Sequence, residues 1–265
     1  MNKKKKLKVV IALQARMTST RLPRKALALI EGKSVIECIV ERLKKAHEAD
    51  GVVLHITTQK EDDILETLAR KIGIPCYRSE NEKLIDGYYN LAKQFYADAV
   101  VRITADCPVV DHDMINHIIR VFRKNPKTYD YLTDVFPPSW PDGLDINMYP
   151  IRSLEYLYSH KATLKHHYTL DLNFMENQDH YRIYNFRSKK NLSHLRWTLD
   201  YPEDLVLMKE LYRHFGEKDF GTKDILKLLK EKPELTHINE KYVDTTLGYS
   251  AVVLKAKTSK RRSQL

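Results

Sequence analysis

The first half of the chain alternates short apolar runs with amphipathic segments. Continuous apolar runs predict buried strands, which lie at residues 8–13, 52–57, 74–77 and 99–104. Apolar residues at helical spacing predict the intervening helices, which begin near Ser34, Ile64, Leu84 and Asp111. Ser34 and Glu37 have the spacing of a capping box, which marks the start of the first helix.

This alternation favours an α/β fold, in which a mostly parallel sheet has helices on both faces. Ligands of such sheets bind beyond the carboxyl ends of the strands. Two of these ends carry polar chemistry: residues 14–25 follow the first strand, and Asp106 follows the strand at 99–104. We therefore expect the functional site at this edge of the sheet.

The second half has a different pattern, because Pro137, Pro138 and Pro141 interrupt it. Extended segments are predicted at 130–133, 143–149 and 181–186. Helices are predicted at 151–160, 163–177, 200–214 and 223–230. No repeat or linker divides the chain, so we predict one domain at 9–231, a basic tail at 1–8 and a C-terminal extension at 232–265.

The net charge of +10 comes from the two ends of the chain. Residues 1–8 and 255–265 each contain five lysines or arginines and no acids, so residues 9–254 are formally neutral. A nucleic-acid-binding domain normally carries a basic patch on the fold itself. The sequence therefore favours solubilising tails, with nucleic-acid binding through the tails as the weaker alternative.

Cysteine usage and hydropathy indicate the compartment. The three cysteines are odd in number and none has C-x-x-C spacing, which is typical of buried thiols in a reducing environment. The longest aliphatic run, Val9 to Leu13, is far shorter than the ~20 residues of a membrane span. It is also too short for the apolar part of a secretion signal. A cytoplasmic protein without a membrane span is expected.

Residues 14–25 form the most informative segment. They include Arg16, Arg21, Arg24 and Lys25, three hydroxyl side chains and no acid. Cations, hydroxyls and backbone N–H groups are what a polyphosphate needs where water is partly excluded. Neither G-x-x-x-x-G-K-[ST] nor G-x-G-x-x-G occurs here, so the ATPase and dinucleotide fingerprints are absent. A solvated basic loop is the alternative.

Four motifs, in order, resemble those of cytidylyltransferases of the spore-coat polysaccharide biosynthesis protein F type. Residues 12–25 resemble the signature Q-A-R-M-G-S-T-R-L-P-G-K. The others are V-R-I-T-A-D-C-P at 101–108, D-G-L-D at 142–145 and L-S-H-L-R-W-T-L-D-Y-P-E-D-L at 192–205. The resemblance to the enzymes that make CMP-Kdo and CMP-sialic acid is more distant. The resemblance covers residues 8–215 and implies a Rossmann-like nucleotide-diphospho-sugar transferase fold.

The resemblance implies transfer of CMP from CTP to an acidic, nonulosonate-like sugar, with release of pyrophosphate, for cell-surface or spore-coat polysaccharide. It implies nucleotide binding by Leu13, Gln14, Ala15, Arg16, Ser19, Arg21, Lys25, Thr104 and Asp106. The implied catalytic residues are Arg16, Lys25, Asp106 and Asp200. Asp106 and Asp200 would hold Mg²⁺, which prefers one or two carboxylates with phosphate oxygens and water.

On the acceptor side, the resemblance implies substrate binding by Asp142, Asp145, His167 and Arg196. The resemblance does not assign a general base, for which Asp142 and Asp145 are the two candidates. It also implies a homodimer formed through residues 135–180.

Several of the implied site residues have structural alternatives. Asp200 and Glu203 have the spacing of a capping box. Asp106 could serve only as a turn residue, Arg102 and Arg196 suit buried ion pairs, and Asp142 with Gly143 is a turn signal. Trp197 suits the core better than a stacking role.

The chain departs from the family pattern at five positions. Glycines are replaced by Thr18, Arg24 and Ser79, arginine by Gly87, and glutamate by His166. A Cβ at Thr18 would clash if the loop required a positive φ or a close approach to phosphate. These departures leave a nucleotide-binding relative with impaired transfer as an alternative.

Overall fold

The computed structural model describes residues 6–80, 83–166 and 169–243. The strands in this part of the chain are β1 (Val9–Gln14), β2 (Leu29–Ile30), β3 (Lys33–Ser34), β4 (Gly51–Thr57), β5 (Cys76–Ser79), β6 (Ala99–Thr104), β7 (Tyr131–Thr133), β8 (Asn147–Pro150) and β9 (Ile183–Asn185). The α-helices are α1 (Val35–Leu43), α2 (Asp63–Lys71), α3 (Leu84–Gln94), α4 (His112–Lys124), α5 (Ile151–His160), α6 (Asp171–Met175), α7 (Pro202–Phe215), α8 (Thr222–Glu231) and α9 (Glu234–His237). Single 3₁₀ turns lie at Lys25–Leu27, Lys60–Asp62, Lys161–Thr163 and Glu240–Tyr242.

Seven of these strands form one sheet, in the order β5-β4-β1-β6-β8-β7-β9. Strand β1 is parallel to its neighbours β4 and β6, and β8 is antiparallel to both of its neighbours. The predicted mostly parallel sheet is therefore confirmed. Because β1 and β6 are adjacent and parallel, the segments that follow them, including residues 14–25 and Asp106, meet at one edge of the sheet.

The alternation of side chains along β1 divides the core into two layers. Val9, Ile11 and Leu13 face a layer covered by α1, α2, α4, α7 and α8. Val10 and Ala12 face a layer covered by α3, α5 and α6. Helices therefore cover both faces, as predicted, and the buried sheet gives the loops at its edge a rigid support.

Helix starts in the first half follow the sequence signals closely. The Ser34 hydroxyl accepts from the Glu37 N–H, and the Glu37 carboxylate accepts from the Ser34 N–H, so the predicted capping box is confirmed. Asp111 caps α4 by accepting from the N–H groups of Asp113 and Met114.

Two segments of the second half differ from prediction. The helix expected at 163–177 is confined to α6, because the Asn173 amide donates to the carbonyls of His166 and Thr169 and satisfies them outside a helix. The strand expected at 143–149 begins only at β8. Gly143 has a φ of 100° and packs against the backbone of Trp197, where a turn rather than a strand is formed.

The three cysteines are free thiols, and Cys38 and Cys107 are buried. Burial and the neighbouring Asp106 raise the pKa of the Cys107 thiol well above its usual value, which suits a structural role. Within the described residues, no helix is both long enough and apolar enough to cross a membrane.

Candidate active site

The loop after β1 is anchored to the sheet through its backbone. The Ala15 N–H donates to the His55 carbonyl at 2.9 Å, and the Met17 N–H donates to the Asp62 carboxylate at 2.7 Å. Asp62 is fully buried and also accepts from the N–H and hydroxyl of Thr57. Asp62 was not predicted, because a contact across 45 positions leaves no local pattern in the sequence.

One of the two loop positions where glycine was expected is strained. Arg24 has a φ of 58°, a left-handed conformation that glycine adopts more easily. Thr18 is not among the described residues with positive φ, so the clash feared from its backbone conformation does not arise. The loop therefore accommodates Thr18 and carries its backbone strain at Arg24.

Lys25 lies at the centre of the site. Its ammonium donates to Asp106 at 3.1 Å, to Asp200 at 2.8 Å and to the Leu199 carbonyl at 3.0 Å. Arg21 forms a second ion pair with Asp200, at 2.8 Å. Residues from three distant parts of the sequence thus converge at the carboxyl edge of the sheet.

The charges of this cluster stabilise one another. Burial alone would raise the pKa of Asp106, but Lys25 and the Thr104 hydroxyl outweigh it and lower that pKa to about 2. Burial alone would lower the pKa of Lys25, yet Asp106 and Asp200 raise it above its usual value. Lys25 and Asp106 are therefore both ionised throughout the neutral pH range.

Asp200 does not cap α7. The Asp204 carboxylate takes that part, accepting from the N–H groups of Asp200 at 2.8 Å and Tyr201 at 2.9 Å. Glu203 instead accepts from Lys241 and Tyr242, so the alternative in which Asp200 and Glu203 form a capping box is wrong. The Asp200 side chain turns toward Lys25 and Arg21.

Two cavities meet at these carboxylates. The nucleotide cavity, named for the residues predicted to bind nucleotide, has a volume of about 460 Å³ and lies beside residues 14–25. The acceptor cavity, of about 300 Å³, lies against β6, β8 and the segment that follows β7. Four residues line both cavities: Arg102, Thr104, Asp106 and Asp200. Molecules in the two cavities would therefore meet at Asp106 and Asp200.

Cations and hydroxyls dominate the nucleotide cavity. Its lining includes Gln14, Ala15, Arg16, Ser19, Arg21, Lys25, Thr104 and Asp106. Of the predicted nucleotide-side residues, only Leu13 does not line it, because its side chain is fully buried in the core. The cavity thus has the composition that a polyphosphate requires.

A partly buried hydrogen-bond network holds Gln14 and Arg102, which line this cavity. The Gln14 side-chain carbonyl accepts from the Tyr88 hydroxyl at 3.0 Å and from Arg102 Nε at 2.8 Å. Arg102 also forms an ion pair with Asp171 at 3.1 Å. The ion-pair alternative for Arg102 is therefore the arrangement that the structure contains.

Carboxyl groups dominate the acceptor cavity. The aspartates that line it are Asp106, Asp134, Asp142, Asp145, Asp171 and Asp200. Burial and neighbouring carboxylates raise the pKa of Asp134 and Asp142 well above the usual range, and that of Asp145 to about 6. Asp134 was not predicted, although it directly follows β7 and so lies at a strand end, as Asp106 does.

Arg196 is not among the residues that line the acceptor cavity. Its side chain is only 1% exposed, donates to both oxygens of Asp204 at 2.9 and 2.8 Å, and reaches Asp142 at 3.3 Å. These contacts correspond to the ion-pair alternative and not to the expected contact with a substrate. Trp197 lies in the core, as expected, and His167 lies outside the described residues.

Asp106 and Asp200 are the pair expected to hold Mg²⁺. Among the residues that the structure describes, no three His, Cys, Asp or Glu side chains are grouped as a metal site. The two carboxylates nevertheless converge on a single cation, the Lys25 ammonium. Two such ligands fit a Mg²⁺ ion whose remaining ligands are phosphate oxygens and water.

A mostly parallel, helix-covered sheet with a polyphosphate-type cavity at its carboxyl edge is the architecture of Rossmann-like nucleotidyltransferases. The sequence profile of the Cytidylyltransferase family matches residues 10–232. The chain belongs to that family.

Individual relatives agree with this assignment. The chain is 25% identical over 238 residues to the spore coat polysaccharide biosynthesis protein SpsF of Bacillus subtilis, covering 85% of this chain and 95% of that protein. It is 29% identical over 122 residues to a 3-deoxy-manno-octulosonate cytidylyltransferase of Pelobacter propionicus, covering 45% and 46% of the two chains. A cytidylyltransferase structure from Leptospira borgpetersenii superposes with a TM-score of 0.81 at 28% identity, covering 87% and 97%.

Proposed function

We propose that this protein transfers CMP from CTP to a hydroxyl of an acidic, nonulosonate-like sugar, releasing pyrophosphate, in the synthesis of a surface polysaccharide. One observation carries the proposal: the nucleotide and acceptor cavities join at Asp106 and Asp200, where Lys25 pairs with both carboxylates. The similarity to SpsF and to a 3-deoxy-manno-octulosonate cytidylyltransferase supports the choice of CTP and of an acidic sugar.

In this proposal, the nucleotide cavity binds the triphosphate. Arg16, Ser19 and Arg21 line this cavity. Lys25 also lines it and pairs with Asp106 and Asp200, the two carboxylates that face both cavities. Attack on the α-phosphorus needs in-line positioning and neutralised charge more than a covalent protein nucleophile. Lys25 and Arg21 would supply the fixed positive charge, and Mg²⁺ held by Asp106 and Asp200 would add to it when bound.

The acceptor hydroxyl has to lose a proton during this attack. Asp142 is engaged by Arg196 at 3.3 Å, whereas the one hydrogen bond described for Asp145 comes from the Gly143 N–H at 3.3 Å. With a pKa of about 6, Asp145 is ionised and able to accept a proton at neutral pH. We therefore propose Asp145 as the general base. A homodimer through residues 135–180 remains a prediction.

The test is pyrophosphate release with each of the four nucleoside triphosphates, Mg²⁺ and a panel of acidic sugars. We expect release only with CTP and an acidic sugar, and its loss in Asp106→Ala. Asp113→Ala, which changes an exposed aspartate outside both cavities, is the matched control. Release at the wild-type rate from Asp106→Ala would contradict the proposed role of that carboxylate.

The same assay separates the alternatives. A relative with impaired transfer would bind CTP without releasing pyrophosphate in the presence of any acceptor. A nucleic-acid-binding protein would instead show an affinity for DNA or RNA that falls steeply with salt and depends on residues 1–8 and 255–265.

A further inference from the structure

The segment that follows α8 packs against the start of α7, next to Asp200. We call residues 233–243 the C-terminal clasp; it contains α9 and the turn Glu240–Tyr242. The clasp lies beyond residues 10–232, where the family profile matches. Its position raises the question of what this segment adds to the site.

Asn239 is the buried centre of the clasp. Its side chain is 2% exposed, and its amide donates to Asp204 Oδ1 at 2.8 Å and to the Arg196 carbonyl at 3.1 Å. A buried side-chain amide is stable only where it is hydrogen-bonded. Asn239 therefore ties the clasp to Asp204.

Asp204 in turn fixes the backbone at Asp200. It is fully buried, and its oxygens accept from Arg196, from Asn239 and from the N–H groups of Asp200 and Tyr201. Removing the Asn239 amide would leave Asp204 Oδ1 with Arg196 Nε as its one remaining described donor. A buried carboxylate that loses a donor relaxes toward other partners, which would shift the Asp200 backbone.

Tyr242 supports the same segment through its aromatic ring, which contacts the residue after Asp200. It stacks parallel on Tyr201, with ring centres 3.8 Å apart. The guanidinium of Arg21 lies 5.4 Å from the centre of the Tyr201 ring and also pairs with Asp200. The clasp thus reaches Asp200 by two routes, through the carboxylate of Asp204 and through the ring of Tyr201.

We propose that Asn239 and Tyr242 are positioning residues that fix the orientation of the Asp200 carboxylate for the metal-bound nucleotide. This inference rests on the proposed function, which assigns Asp200 to the metal. The loss of such a supporting contact typically costs about ten- to a hundredfold in metal affinity or activity.

The experiment titrates Mn²⁺ into the protein–CTP complex, without acceptor, and follows free Mn²⁺ by electron paramagnetic resonance. We expect Asn239→Ala to weaken Mn²⁺ binding by about ten- to a hundredfold, with CTP affinity in EDTA unchanged. Tyr242→Ala should weaken it less, and Tyr242→Phe, which keeps the stacking ring, should bind Mn²⁺ as the wild type does. Pyrophosphate release by Asn239→Ala and Tyr242→Ala should show a lower kcat at an unchanged KM for CTP, whereas Tyr242→Phe should match the wild type.

Two matched controls lie in the clasp itself. Leu235→Ala removes buried apolar surface from α9 without touching Asp204, and so reports the effect of lost stability alone. His237→Ala removes an exposed side chain whose described partner is Glu240. Both should retain wild-type Mn²⁺ affinity.

Wild-type Mn²⁺ affinity in folded Asn239→Ala would overturn the inference, and so would an equal loss of affinity in Leu235→Ala. If Asn239→Ala does not fold, the pair Tyr242→Ala and Tyr242→Phe decides it, since equal affinities in that pair would also overturn it. If the wild type binds Mn²⁺ and CTP but releases no pyrophosphate with any acceptor, the proposed transfer fails. The Mn²⁺ titration still tests the role of the clasp in that case.

Discussion

The two cavities that meet at Asp106 and Asp200 have opposite chemistry. The nucleotide cavity is lined by cations from one continuous loop, residues 14–25. The acceptor cavity is lined by aspartates brought together from the segments that follow β6 and β7, the turn before β8, α6 and the segment before α7. A polyanion requires fixed positive charge, whereas a sugar hydroxyl requires groups that accept hydrogen bonds and protons. The contrast therefore indicates that a polyphosphate suits the nucleotide cavity and that a sugar hydroxyl suits the acceptor cavity.

The strongest test of the contrast removes the cation at the junction. Lys25→Ala should lower kcat by about 10²- to 10³-fold, because a preorganised charge at the reacting phosphate is lost. CTP affinity should fall much less, since Arg16 and Arg21 still line the cavity. Steady-state pyrophosphate release measures kcat, and calorimetry measures CTP binding.

Lys33→Ala is the control for Lys25→Ala, because Lys33 is an exposed lysine that pairs with Glu41. A loss confined to CTP affinity, with kcat intact, would show that Lys25 acts in ground-state binding and would contradict its proposed role.

A second test asks whether Arg196 belongs to the acceptor site or to the scaffold. Arg196→Met should lower the free energy of unfolding by about 3–5 kcal/mol, because it leaves buried Asp204 without its ion-pair partner. Urea denaturation measures this. Arg182→Met, at an exposed arginine that pairs with Asp130, should cost no more than about 1 kcal/mol. An Arg196→Met variant with normal stability and a raised KM for the sugar would favour the substrate-binding role instead.

The third test concerns the protons of the acceptor cavity. Burial raises the pKa of Asp145 to about 6, so a base at this position is active above that pH and is lost by protonation below it. The wild-type kcat should therefore fall as the pH drops through about 6. Asp145→Asn should lower kcat by about 10²-fold and abolish this pH dependence. Asp113→Asn, at an exposed aspartate, is the control, and an unchanged pH profile in Asp145→Asn would exclude this base.

The smallest expected effects lie in the loop of the nucleotide cavity. Arg24→Gly should raise the free energy of unfolding by about 1 kcal/mol, because it relieves a positive φ. Thr18→Gly should lower it by about 0.5–1 kcal/mol, since it adds only freedom to the unfolded chain. Thermal unfolding distinguishes the two variants. Stabilisation by Thr18→Gly would show that the strain lies at Thr18 instead.

The difference between one continuous loop and several separate segments explains which site residues could be predicted from the sequence. The loop chemistry is contiguous, so Arg16, Arg21 and Lys25 are recognisable together. Asp106 was found from its place at a strand end. Asp134 occupies an equivalent place after β7, but a strand of three residues gives a weak pattern.

Contacts between residues that are far apart in the sequence could not be predicted from it. Asp200, Glu203 and Asp204 all lie near the start of α7, and spacing alone does not decide which of them caps the helix. That choice depends on Arg196 and Asn239, which hold Asp204 from separate segments. Asp62 likewise supports the nucleotide loop through a contact that only the fold creates.

The most direct test of the whole account is a crystal structure of the protein with CTP and Mn²⁺, in which anomalous scattering locates the metal. We expect the triphosphate to lie along residues 14–25, with Mn²⁺ bound by Asp106 and Asp200 and the α-phosphate facing the acceptor cavity. CTP bound elsewhere, or an α-phosphate directed away from Asp106 and Asp200, would contradict it.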